Sequence, residues 1–128
     1  MQASQLHAVA QATSWENRYR LLMKLGTTDN LPFDEQDKQD HNLVAGCESS
    51  VWLTVKPPHL IANIRATSDS KIVRGLLVII LYELNQIGID QFNLSDCLSK
   101  YKLANHLSES RTNGLSQVFQ QIKANLAS

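Results

Sequence analysis

Between Ile72 and Leu84 the chain places Ile72, Val73, Leu76, Leu77, Ile79, Ile80 and Leu84 around so much of a helical circumference that little face is left for water. A helix of this kind is central, and the rest of the chain must be arranged around it. The spacing predicts helix from about Ser70 to Gln86, capped by Ser68 or Asp69. It is no membrane span, because the most apolar part, Ile72 to Tyr82, is about eleven residues long and includes Arg74, against the ~20 that a bilayer requires. Gly75 in its middle costs about 1 kcal/mol of helix propensity, and a close contact with a neighbouring hairpin is the expected reason.

The remaining segments supply that surrounding layer. Ser4 to Ala12 is weakly helical, and Thr13 with Glu16 makes a capping box for a helix from about Ser14 to Leu25. Trp15, Tyr19, Leu22 and Met23 give it one apolar face, with Gly26 as its C-terminal stop. Thr27 to Asn42 carries Asp29, Asp34, Glu35, Asp37 and Asp40 and reads as an exposed connection with one helical turn, a candidate for partner attraction or simply a solvated loop. Val51–Val55 and Leu60–Ala66 are rich in β-branched residues, and Pro57-Pro58 between them predicts an antiparallel hairpin. Helices follow at about Leu94 to Tyr101 and after Ser108, the last with Leu115, Val118, Phe119 and Ile122 on one face. No repeat or low-complexity linker divides residues 1–128, so the expectation is a single α+β domain: a small antiparallel sheet of about three strands flanked by helices.

Composition narrows the partners. Twelve Lys and Arg against twelve Asp and Glu leave no net charge, and no basic stripe exists to neutralise a nucleic acid backbone. The N-terminal Met1-Gln2-Ala3-Ser4-Gln5 has neither a basic nor an apolar signal region, so a cytoplasmic protein without membrane association is expected. A chain of 128 residues buries roughly two-thirds of its unfolded surface without staples, so its two cysteines are expected as reduced thiols.

Those thiols differ in setting. Cys47 lies in Ala45-Gly46-Cys47-Glu48-Ser49-Ser50, just before a strand. Glycine there allows positive φ and close approach of another molecule, as a loop presenting a thiol requires. Cys97 falls on an amphipathic helix, where a small buried hydrophobe is expected. His41, His59 and His106 cannot be placed beside Cys47 from spacing alone, and no H-E-x-x-H, C-x-x-C, P-loop or G-x-G-x-x-G occurs. Arg111 lies in the first turn of the last helix, after the candidate N-cap Ser108, where a cation opposes the helix dipole. Either it pairs with a carboxylate such as Asp69 or Glu48, or it lies beside an anionic sulfur species.

Four segments together resemble the SufE family of sulfur acceptors, the CsdE branch included. They are Trp15-Glu16-Asn17-Arg18-Tyr19 with Leu25-Gly26, Ala45-Gly46-Cys47-Glu48-Ser49-Ser50-Val51-Trp52, Ser68-Asp69-Ser70-Lys71-Ile72-Val73-Arg74-Gly75-Leu76, and His106-Leu107-Ser108 through Leu115. They stand in the family's order and cover nearly the whole chain. The resemblance implies a fold similar to the IscU-type iron–sulfur scaffolds. It implies a carrier rather than an independent enzyme: Cys47 takes sulfur as a persulfide from a cysteine desulfurase, stimulates it, and passes sulfur to iron–sulfur cluster assembly, with a scaffold complex as a further partner. The pyridoxal phosphate belongs to the desulfurase, and the chain needs no cofactor or metal of its own. Arg111 would favour the thiolate or persulfide anion, Asp69 would anchor the loop or a helix start, and His106 and Glu48 would lie near the reactive loop. Two other readings stand beside this one. The chain could be a regulatory module that binds a desulfurase without covalent sulfur, or a metal or iron–sulfur scaffold, although only Cys47 matches a cluster ligand.

Overall fold

Helix α3 (Lys71–Ile87) is the axis around which the other elements are laid, and the computed structural model describes residues 2–127. Ile72, Val73, Leu76, Leu77, Ile79, Ile80 and Leu84 are all buried. They are covered on different sides by α2 (Trp15–Leu25), by strand β2 (Ile64–Ser68) and by α4 (Leu94–Lys100). Helix α1 (Gln2–Gln11) packs on α2, and α5 (Glu109–Ala127) packs on strand β1 (Val51–Val55). Arg18 of α2, itself buried, donates from Nε to Val9 O at 3.0 Å and from its guanidinium to Ala12 O. Its cation thereby meets the carbonyl end of α1, where the helix dipole favours positive charge.

The architecture is α+β, with five α-helices among the described residues. Its sheet has two strands, not about three. β1 and β2 pair antiparallel with Val51 opposite Ser68 and Val55 opposite Ile64. What stands in place of a third strand is one isolated bridge from Leu43 to Trp52, with Val44 N–H donating to Val51 O at 2.9 Å. The second strand also starts later than its β-branched residues suggested. Leu60 N–H and Asn63 Nδ2 both donate to Pro58 O, at 2.8 and 2.6 Å, and this turns residues 61–63 into a short 3₁₀ segment before β2 begins.

The caps differ by one or two residues from those expected. Ser14, not Thr13, caps α2 by accepting from Asn17 N–H, and Ser70, not Ser68 or Asp69, caps α3 by accepting from Val73 N–H. Each is the serine whose extended backbone lets its hydroxyl reach the third N–H of the helix. Gly75 makes its close contact with α2 rather than with the hairpin: a Cβ there would lie 2.1 Å from Leu22 O. Gly26 shares that crossing, since its φ is −78° and its own Cβ would lie 2.7 Å from the Gly75 nitrogen. Close approach of two helices, not a left-handed stop, is why residue 26 is glycine. The acidic connection carries two 3₁₀ turns, Glu35–Asp37 and Asp40–Asn42, and buries Leu31.

Candidate functional site

The loop from Ala45 to Ser50 is closed at both ends by the sheet. Val44 is tied to Val51 at its entry. At its exit Ser50 O accepts from Ser68 Oγ at 2.6 Å and from Asp69 N–H at 3.3 Å. Gly46 turns the chain with φ of 86°, a conformation that costs an L-residue strain, and the Gln117 side chain lies directly under it. That turn points Cys47 at the first half of α5. A loop pinned at its base and turned by one glycine can move as a unit about its ends.

Cys47 is half-buried in a small hollow between the loop, α3 and α5. Val51, Val73, Leu115 and Val118 make the apolar wall, while Glu48, Ser49, Ser110 and Arg111 line the polar side. The remaining space is about 30 Å³, enough to take a water-sized occupant. The thiol donates to Gly114 O at 3.5 Å. Burial pushes the Cys47 thiol above its ordinary pKa, because the apolar wall disfavours the thiolate. Ser110 donates to the Glu48 carboxylate, which fastens the residue after Cys47 to the first turn of α5. Ser108 Oγ accepts from Arg111 N–H at 3.1 Å and caps that turn.

The structure gathers Cys47, Glu48 and Arg111 in one place and leaves Asp69 and His106 outside it. Among the described residues the Arg111 guanidinium forms no ion pair with Asp69, Glu48 or any other carboxylate. Arg111 is among the residues that line the hollow. Asp69 is exposed and holds Ser50 through its backbone N–H, not its carboxylate. The His106 ring stacks on Trp15, with centroids 4.3 Å apart and planes at 11°, and ties the segment before α5 to the start of α2. His41 and His59 line a broader groove beside the hairpin with Asp37 and Lys56. Among the described residues no histidine lines the cysteine's hollow. Among the described residues no cluster of three or more His, Cys, Asp or Glu is placed to hold a metal ion.

Cys97 is buried on α4 and its thiol is pushed up to about 12 by burial first and by the Glu83 carboxylate second. Two contributors to the hollow were not singled out by sequence reasoning. Ser110 carried no local signature as a partner for Glu48. Gly114 did carry one, because a glycine well inside a helix asks for a packing reason.

The geometry agrees with what sequence comparison finds. A family model described as SufE: Fe-S metabolism associated domain matches residues 3–126. A protein of Haemophilus influenzae described as an uncharacterized SufE-like protein is 32% identical over 122 residues, covering 92% of this chain and 96% of that one.

Proposed function

The chain belongs to the SufE family, whose domain is associated with iron–sulfur metabolism, and from that premise we propose that it is a sulfur acceptor: it takes persulfide sulfur from a cysteine desulfurase onto Cys47, stimulates that enzyme and passes the sulfur toward cluster assembly. The observation that supports this most is the setting of Cys47, a half-buried thiol beside a small hollow with an apolar wall.

In the resting loop the thiol is protonated and bonded to Gly114 O, which is the wrong species for attack. The loop must therefore carry Cys47 out of the hollow, where water relieves the burial and the thiolate becomes accessible. Gly46 and the pinned loop base provide the hinge. The thiolate then attacks the outer sulfur of the desulfurase persulfide. A new sulfur–sulfur bond forms on Cys47 as the old one breaks, and the desulfurase cysteine leaves as a thiolate, so no oxidant or reductant is consumed. Arg111, which lines the hollow, would balance the anion that results when the loop returns.

Intact-protein mass after incubation with a cysteine desulfurase and cysteine should rise by one sulfur atom. Cys47→Ser should gain none and should lose most of the stimulation of desulfurase turnover. A Cys47→Ser protein that still stimulates fully would make the chain a non-covalent regulator, and equal mass gain by the variant would remove Cys47 from the site.

A further inference from the structure

Gly114 is the sixth residue of α5, well inside the helix, and is buried. Glycine there weakens the helix relative to alanine, so packing is where a reason should be found. A Cβ at residue 114 would lie 3.5 Å from Cys47 Sγ, 3.7 Å from its Cα and 3.8 Å from its Cβ. Those are ordinary contact distances. Alanine would therefore fit against the thiol as it stands, and the thiol form does not need the glycine.

What does need it is a larger occupant. The free space of the hollow is about 30 Å³ and both Cys47 and Gly114 line it, so a methyl on residue 114 would narrow it. Val73, Leu115 and Val118, which close the gap elsewhere, are buried in the core and cannot retreat without opening it. Resting on the sulfur-acceptor reading, we propose that Gly114 is the positioning residue that reserves room for the outer sulfur, so that Cys47 can be drawn back into the hollow with its cargo attached. The glycine thus serves the loaded state of the cysteine, and its absent side chain is the berth of the second sulfur.

The test compares wild type with Gly114→Ala, each loaded on Cys47 with inorganic polysulfide, freed of excess, and exposed to dithiothreitol while intact mass is followed. The two thiol forms should alkylate with iodoacetamide at equal rates. The persulfide on Gly114→Ala should decay about tenfold faster, the change expected of one overpacked methyl. Adding Val118→Ala, which removes volume from the facing wall, should restore much of the lifetime and so separate lost space from lost folding. Equal persulfide lifetimes in wild type and Gly114→Ala would overturn the proposal. So would a thiol form of Gly114→Ala that alkylates faster by the same factor, or a wild-type persulfide no longer-lived than that on the urea-unfolded chain. Polysulfide loading with the expected lifetimes, but no loading from a desulfurase, would sink the acceptor reading while leaving the role of Gly114 intact.

Discussion

The two thiols of this chain differ in chemistry because they differ in what surrounds them. Cys97 is raised to about 12 inside α4 and is inert packing, whereas Cys47 is raised by burial while carried on a loop just after Gly46, whose φ is positive. A raised pKa means that the reactive thiolate gathers only at higher pH. Alkylation of Cys47 in the free protein should therefore follow a pH profile displaced upward from that of a free thiol, and a partner that draws the loop out should move the profile back down. A profile unchanged from free cysteine would contradict the burial described. The difference between the cysteines was legible in the sequence, since Ala45-Gly46 before one and leucines around the other mark a loop tip and a helix face. The bond from Ser110 to Glu48 was not, because residues sixty-two positions apart meet only through the tertiary packing of α5.

Helix contacts carry the same lesson at the next scale. Gly75 allows α2 and α3 to touch at backbone distance, with its missing Cβ 2.1 Å from Leu22 O. Gly75→Ala gains about 1 kcal/mol of helix propensity and still should cost about 2 kcal/mol net, because the two backbones must separate. Urea denaturation would measure it, and a stabilised variant would mean that the crossing is looser than described. That Gly75 answers to close packing was readable from its place in an apolar helix. Its partner was not, since helical period says which residues are buried but not which element buries them. The α3–α4 contact is polar by comparison. Buried Glu83 accepts from Tyr101 OH at 2.9 Å and from Lys100 Nζ at 3.0 Å. Tyr101→Phe should cost about 1–2 kcal/mol, because one oxygen of a buried carboxylate loses its neutral donor, whereas the exposed Lys100 contributes less. Equal losses for Tyr101→Phe and Lys100→Ala in denaturant melts would reverse that ranking.

Across the whole molecule, the order of elements and the central helix were readable because a 3.6-residue period repeats over many positions. The extent of the sheet was not, because the apolar run Leu60–Ala62 could not outweigh the turn that Pro58 O gathers from Leu60 and Asn63. The charge of the acidic Thr27–Asn42 connection and of the basic residues near it is partly consumed within the chain. Lys38 pairs with Glu35, Lys56 with Asp37, and Arg74 bonds Gly26 O and Ser68 O, so less of it faces outward than the residue count suggests. Among the described residues no helix is long and apolar enough to cross a membrane. Sulfane sulfur tends to catenate, and an open site bathed in polysulfide would grow chains of uncontrolled length. On the sulfur-acceptor reading, the small hollow beside Cys47 leaves little room beyond the first added atom, and a second would lie outside in water, exposed to any thiol that passes. Saturating polysulfide should therefore leave a mass spectrum dominated by a single extra sulfur after brief treatment with dithiothreitol, and a prominent doubly loaded species would show that the walls do not limit the load. On the sulfur-acceptor reading, a hollow of this size would make the protein a counter, fixing how many atoms leave with each departure.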